Sequence, residues 1–397
     1  MKTIRLREGK DRSLLRRHPW VFQGSIARGG GDAGETVRVE AADGRFLAWG
    51  AFSPASQIRV RAWSFDEAER IEAAFFARRV QQAVALRSRL AIDSDAVRLV
   101  HGEADGLPGL IVDRYGELLS AQFLSTGVER WKAVIADALL QATGCTRLYE
   151  RSDASARKLE GLEPVRGWLR GAGPGEPSTE VIIREHGWQL AVDVAAGHKT
   201  GYYLDQRDNR RLFADAVRQL GCRRVLNCYS YTGGFSVAAL AGGAQEVVSV
   251  DSSAPALEQA VRHVAMNGFD AARHTACDAD VNAELRRRLQ AGEQFDAIVL
   301  DPPKFAPNAA SAERAARAYK DINRLALKLL APGGLLLSFS CSGGIPADLF
   351  HKIVAGAAAD AQVDGYLLKR LEAAADHPTT LTFPEGEYLK GLMIVTR

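Results

Sequence analysis

Apolar and polar positions change their period several times along the chain, and each change marks a different kind of element. From 35 to 63 short bursts alternate, Thr36-Val37-Arg38-Val39, Phe46-Leu47-Ala48-Trp49 and Ile58-Arg59-Val60-Arg61, separated by the turn signals Asp43-Gly44 and Ser53-Pro54. A period of two over a few residues belongs to half-buried strands, so this region predicts a small β domain. Residues 66 to 92 carry apolar side chains at helical spacing and predict a connecting helix. The run from Gly106 to Leu118 reads as two strands around a turn, and 129 to 142 as a helix, which gives a second, mixed α and β unit. Turn-forming residues crowd Gly171-Ala172-Gly173-Pro174-Gly175-Glu176-Pro177, a long loop ahead of the C-terminal half.

From about 223 onward, apolar β-rich runs alternate with helical patterns, the signature of βαβ units around a parallel sheet. The strands are expected at 223 to 228, 246 to 251, 273 to 277, 295 to 300 and 335 to 340. Helices are expected at about 234 to 241, 254 to 267, 281 to 290 and 311 to 330. Right-handed crossovers put such helices on both faces, and ligands then bind beyond the strand C-termini at the point where strand order reverses. The residues just after each strand are therefore the candidates for chemistry.

Composition narrows the class without naming a reaction. The 397 residues suffice for two or three domains, and 47% hydrophobic with 25% charged residues is a globular balance. No apolar run approaches the roughly 18 to 20 residues that span a bilayer, and Met1-Lys2-Thr3-Ile4-Arg5 leads into charge, so a cytoplasmic protein with no membrane partner is expected. Five cysteines, at 145, 222, 228, 277 and 341, show no C-x-x-C spacing, so thiols and no metal are expected. Net charge is +3, but residues 1 to 28 hold eight Lys/Arg against two Asp/Glu, which leaves the rest of the chain negative. The stretch Arg16-Arg17-His18-Pro19-Trp20-Val21-Phe22 offers phosphate-neutralising charge beside stacking rings. A solvated arm with Trp20 and Phe22 packed inward is the alternative.

The strand ends carry the sharper signals. Asn227-Cys228-Tyr229-Ser230-Tyr231-Thr232-Gly233-Gly234-Phe235 is a glycine-containing turn that opens a helix. It has neither the Lys-Ser/Thr of a triphosphate loop nor the pyrophosphate spacing, so a nucleoside without phosphates suits it better. Asp251, 24 residues after Asn227, is placed to accept ribose hydroxyls, with helix capping as the bland alternative. Asp278 ends the third strand, where a carboxylate can accept from an adenine amine. The fourth strand runs into Asp301-Pro302-Pro303-Lys304-Phe305, whose prolines end pairing and fix the exit of the chain. The fifth ends in Ser338-Phe339-Ser340-Cys341-Ser342-Gly343-Gly344, with a thiol at the strand tip.

Together these residues resemble the motifs of class I S-adenosylmethionine-dependent methyltransferases, most closely the ribosomal RNA large subunit methyltransferase I family of 5-methylcytosine enzymes. The resemblance extends to Arg16 to Phe22, Gly106 to Arg114, Gly197 to Arg207, Ala375 to Pro378 and Pro384 to Gly391, essentially the whole chain. It implies an RNA-binding PUA domain at 1–75, a central α+β domain at 76–185 and a Rossmann-like methyltransferase domain at 186–397, with a seven-stranded sheet and an antiparallel last strand. The cofactor implied is S-adenosylmethionine. Its binding residues would be Asn227, Tyr229, Thr232, Gly233 and Gly234 of the turn, Asp251, Asp278, and Gln206 and Tyr203 from the motif before the first strand.

The reaction implied is methylation of carbon 5 of a cytosine in 23S rRNA, the family's cytosine 1962. Carbon 5 is a poor nucleophile until a thiolate adds at carbon 6, a role that falls to Cys341, with Asp301 holding the pyrimidine. Lys199 or Lys304 is expected to favour the thiolate. Arg16, Arg17, Trp20, Lys199, Lys304 and Phe305 are expected to meet RNA, either as naked 23S rRNA or in the large ribosomal subunit. Monomer and homodimer are both compatible. Asp-Pro-Pro before an aromatic also occurs in enzymes that methylate a guanine ring nitrogen or exocyclic amine, which need no cysteine. A non-catalytic RNA-binding assembly factor is the remaining alternative.

Overall fold

A computed structural model describes residues 2–173, 175, 177–305 and 311–397. Pro174 and Glu176 of the expected loop lie outside the described residues. The chain forms two compact units: one of Met1–Glu185, Val192–Leu204 and Ala375–Gly386, the other of His186–Ala191, Asp205–Ala374 and Glu387–Arg397.

The first unit contains two larger sheets. Six strands run in the order Trp20–Phe22, Ile58–Ser64, Phe46–Phe52, Thr36–Glu40, Thr3–Leu6, Ile26–Arg28. The alternation seen in the sequence gives this sheet its core, with Ile4, Val37, Val39, Ala48 and Val60 fully buried. A five-stranded mixed sheet follows, ordered Val165–Arg170, Arg147–Ser152, Leu118–Phe123, Leu110–Tyr115, Ala96–His101. Helices Ala73–Ser88 and Lys132–Thr143 bury Phe75, Phe76, Val80, Ile135 and Leu139 in the same apolar cluster as this sheet's residues.

The two returning segments are tied in by buried charge. Arg98 makes a bidentate pair with Asp113, both N–O distances 2.8 Å, and Thr200 donates to the same carboxylate. Arg87 pairs with Asp105 and donates to the Asp376 carbonyl at 3.1 Å, while Asp376 accepts from the Arg98 amide at 2.9 Å. Removing one partner of such a pair leaves an uncompensated buried charge, worth roughly 3–5 kcal/mol.

The second unit is built on seven strands in the order His274–Asp278, Glu246–Asp251, Arg224–Cys228, Phe295–Leu300, Leu330–Ser340, Lys390–Thr396, Gly365–Leu371. The first five are parallel. Lys390–Thr396 runs antiparallel between its two neighbours, closing the order expected for this fold. Helices Gly234–Ala241, Ala254–Met266, Val281–Gln290 and Ala312–Leu329 return the chain between strands. The central strands Val225–Cys228 and Ala297–Leu300 are buried on both faces, which is why they read as continuous apolar runs. From Arg224–Cys228 the chain moves outward to one side, then returns to Phe295–Leu300 on the other. The crevice for a ligand lies where these two strands end. No described helix is long and apolar enough to cross a membrane.

Candidate active site

The turn after the first strand of the second unit is held in an unusual backbone. Tyr229 (φ 57°), Tyr231 (φ 47°) and Gly233 (φ 76°) all adopt the left-handed region. For the two tyrosines that conformation costs about 1 kcal/mol or more each, so the surroundings must impose it. They do so through backbone bonds: Ser230 N–H donates to the Val250 carbonyl at 3.1 Å, and Gly233 N–H to the Ser230 carbonyl at 2.9 Å. A Cβ at Gly233 would lie 2.6 Å from that of Ala260, so only glycine lets the following helix approach this closely. From beneath, buried His263 faces the Thr232 carbonyl with Nδ1 at 2.7 Å. That nitrogen must carry a proton, and Nε2 lies 3.0 Å from both the N–H and the carbonyl oxygen of Ala191.

Asn227 is 1% exposed, and its amide nitrogen donates to Ser236 Oγ at 2.9 Å. Ser236 continues to Ser249 at 2.7 Å and Ser249 to His274 at 2.8 Å, a buried polar chain that braces the strands. Asn227 therefore stands behind the turn. The hydroxyls of Ser230 and Thr232 are buried without a hydrogen-bond partner among the described residues. Buried orphan hydroxyls beside a glycine are the mark of a place made for a polar ligand, and they fit a nucleoside cofactor.

Asp251 and Asp278 end neighbouring parallel strands in register. Asp251 Oδ2 accepts from the Tyr231 N–H at 2.8 Å and Oδ1 from the Ser253 N–H at 3.0 Å. The helix cap at this point is Ser253, whose side chain accepts from the Ala256 N–H. A carboxylate has about four acceptor positions, and these two bonds use two of them at Asp251. Asp278 is exposed.

Across the switch point, the fourth strand ends at Leu300 and the fifth at Ser340, so that Asp301 and Cys341 follow directly on neighbouring parallel strands. Both are half-buried, and Cys341 Sγ lies 3.9 Å from the Pro302 carbonyl oxygen. Asp301 Oδ2 accepts from Gln206 Nε2 at 3.0 Å, and Gln206 Oε1 accepts from Asn209 at 2.6 Å. Gln206 is thus attached to the strand-end carboxylate. The loop of Cys341 is clamped by Tyr319, whose hydroxyl lies 3.0 Å from both Ser340 Oγ and Ser342 Oγ. Phe305 packs its ring 4.8 Å from that of Tyr319 and is half-buried, which ties the Pro-Pro segment to the core, while Lys304 is exposed.

The other thiols differ in setting. Cys145, Cys222 and Cys228 are buried, and burial pushes Cys222 up to about 11, Cys228 higher still, and half-buried Cys277 upward. None forms a disulfide, and no group of three potential ligands that could hold a metal occurs among the described residues.

The remaining expected residues lie in the first unit. Lys199 Nζ sits 4.4 Å from the centre of the Tyr203 ring. Arg16 and Arg17 are exposed. Trp20 is anchored: its indole N–H donates to Glu103 at 2.8 Å, and its ring meets Phe383 edge-on at 4.7 Å. Phe22 stays 48% exposed. Sequence reasoning missed His263, Tyr319, Asn209 and Lys390. Lys390 opens the antiparallel strand opposite Ser340 and donates to the Ser342 carbonyl at 2.9 Å.

Comparison with known proteins gives a consistent picture. The family of S-adenosylmethionine-dependent methyltransferases matches residues 165–390, and a PUA-like domain matches residues 4–65. Ribosomal RNA large subunit methyltransferase I of Shewanella denitrificans is 50% identical over 396 residues, covering 98% of both chains. The protein of the same name from Escherichia coli O139:H28 is 49% identical over 390 residues, covering 97% of each. Among solved structures, a chain from Streptococcus mutans described as a SAM-dependent methyltransferase aligns over the full length of both chains with a TM-score of 0.84 at 21% identity. Another, a methyltransferase complexed with SAH, aligns over the same full lengths at 0.85 and 22%. At those identities the structures speak for the fold.

Proposed function

The chain belongs to the S-adenosylmethionine-dependent methyltransferases, in the family of ribosomal RNA large subunit methyltransferase I, and from that premise we propose that it methylates carbon 5 of a cytosine in 23S rRNA through a covalent bond from Cys341. The observation that carries the reading is the pairing of a thiol with a carboxylate at adjacent strand tips, Cys341 beside the Pro302 carbonyl and Asp301 held by Gln206. S-adenosylmethionine, when bound, supplies an electrophilic methyl group. Tyr231, Thr232, Gly233 and Gly234 would shape its seat, with Asp251 on the ribose, Asp278 near the adenine, and Asn227 and His263 bracing the turn from behind.

The cytosine chemistry falls to the protein. The Cys341 sulfur gives its electron pair to carbon 6, so that the carbon 5–carbon 6 π electrons become available at carbon 5, which takes the methyl group. Asp301 holds the amine and ring nitrogen and steadies the ring as its charge changes. Loss of the carbon 5 proton to a base then restores the double bond and expels the thiolate. A cytosine in a stacked helix exposes neither carbon to both reagents, so the target must be unpaired or flipped out, at a cost of a few kcal/mol. Methylation of a guanine nitrogen or amine is less well supported, since it gives the strand-tip thiol no task and Phe305 is engaged with Tyr319.

RNA would be gathered by the PUA-like region, where Arg16 and Arg17 present exposed charge; Trp20 acts there as a packing anchor. The test is to incubate the protein with labelled S-adenosylmethionine and 23S rRNA, as naked RNA and as large subunits, and to map the labelled base. A single 5-methylcytidine supports the reading; label on a purine overturns it.

A further inference from the structure

The half-buried lysine at the start of the antiparallel strand has no part in the scheme so far. Lys390 pairs in register with Ser340, the residue immediately before Cys341, and its ammonium group donates to the carbonyl of Ser342, immediately after it, at 2.9 Å. The cation is thereby pinned to the backbone that carries the thiol. We propose that Lys390 is the cation that keeps the Cys341 sulfur ionised, a positioning residue for attack at carbon 6. The inference rests on the reading of Cys341 as nucleophile and names the group that activates it.

Two cations had been candidates from sequence, Lys304 and Lys199. Lys304 is exposed, where solvent and salt weaken its charge over a Debye length of about 8 Å at physiological ionic strength. Lys199 is exposed as well and lies over Tyr203 in the other unit. Lys390 is half-buried, where a fixed charge acts through a lower effective dielectric. Burial holds its own pKa below the ordinary lysine value, a negative Cys341 raises it, and Lys304 lowers it. Coupling between two titrating groups is reciprocal, so the interaction that raises the lysine lowers the thiol. Among the described residues, Tyr319 from the helix Ala312–Leu329 and Asp301 and Lys304 after the fourth strand are further titratable groups near the sulfur's loop. Burial pushes the Tyr319 hydroxyl up and so holds it neutral, and a negative Asp301 on the neighbouring strand tip would by its sign oppose ionisation of the thiol. An added cation is what this balance requires. In the step itself the S–H bond breaks, its proton passes to solvent, and the retained electron pair forms the bond to carbon 6.

The test reads the thiol directly. The full-length protein and its Lys390→Met, Lys390→Gln and Lys390→Arg variants are treated with iodoacetamide across pH 5 to 10, and alkylation of the Cys341 peptide is followed by mass spectrometry. An opposite charge within about 4–6 Å favours the ionised form of a group by about one pKa unit or more. Lys390→Met should therefore raise the midpoint and slow alkylation of Cys341 at pH 7 about tenfold. Lys390→Gln keeps a donor for the Ser342 carbonyl but no charge, and should behave like Lys390→Met; Lys390→Arg should stay within about twofold of the parent. Titration with S-adenosylmethionine shows that each variant is folded. A Lys390→Gln profile superimposable on the parent's overturns the inference. Methyl transfer by Cys341→Ser is measured separately: if that variant is active, the nucleophile reading fails whatever the lysine does.

Discussion

The sharpest division between what the motif implies and what the geometry supports is at Gln206. By resemblance it belongs to the cofactor-binding residues, yet its side chain is 2% exposed and spent on Asp301 and Asn209. Gln206→Leu preserves bulk and removes the donor to the Asp301 carboxylate. Asn209 keeps its bond to the Glu372 carbonyl at 3.0 Å and loses its acceptor on Gln206, while Asp301 loses the Gln206 donor. A hydrogen bond to a charged group contributes about 1.5–3 kcal/mol. If Asp301 must be oriented for the pyrimidine, that energy is lost from the transition state, and the single-turnover rate of methyl transfer should fall about 10- to 100-fold. Affinity for S-adenosylmethionine, measured by calorimetry on the same preparation, should stay within about twofold. A tenfold weaker cofactor with an unchanged single-turnover rate would refute the reasoning and return Gln206 to the cofactor.

Three further outcomes follow from particular contacts. Gly233→Ala, with its Cβ 2.6 Å from that of Ala260 and φ at 76°, should weaken cofactor binding at least tenfold and lower the melting temperature by several degrees, read by calorimetry. Arg16→Ala with Arg17→Ala should weaken RNA binding and lower the slope of log K against log salt by about 2, measured by filter binding; an unchanged slope would mean they touch no phosphate. Glu284 is held down at about 2, chiefly by hydrogen bonds from Arg287, with Arg288 nearby. Its folded pKa is below its ordinary value of 4.5, so the stability it contributes is present above pH 4.5 and lost as pH falls toward 2. Glu284→Gln should flatten that part of an acid-unfolding curve followed by circular dichroism.

The βαβ half was legible because its central strands Arg224–Cys228 and Phe295–Leu300 are buried on both faces and helices such as Ala312–Leu329 bury one face. Expected strands at 246 to 251 and 295 to 300, and helices at 234 to 241 and 281 to 290, coincide with those observed. The sheet's edge strand carried no such signal. Gly365–Leu371 is exposed along all but its final residue, and its pattern is that of an edge rather than a core strand. The strands Thr3–Leu6, Trp20–Phe22 and Ile26–Arg28 were hidden for another reason: each is three or four residues long, too short for a period to register. In the site, sequence could point to the strand tips, because chain ends after apolar runs are visible in one dimension. It could not separate residues that face the crevice from those that brace it. Asn227 and Gln206 sit in the right motifs and turn their amides toward Ser236 and Asp301. Lys390 was within sight in the motif ending at Gly391, but its meaning depends on an antiparallel register that no local pattern discloses.

The central claim is a bond between the Cys341 sulfur and carbon 6 of a cytosine, and a substrate that cannot complete the cycle tests it most directly. In 23S rRNA transcripts made with 5-fluorocytidine, carbon 5 carries fluorine in place of the proton that must leave, so methyl transfer should strand the adduct. The account predicts a denaturation-resistant protein–RNA complex that forms only with S-adenosylmethionine and whose cross-linked peptide contains Cys341. Methylation of ordinary 23S rRNA at a normal rate, with no trapped complex on the fluorinated RNA or with the cross-link on another residue, would contradict it.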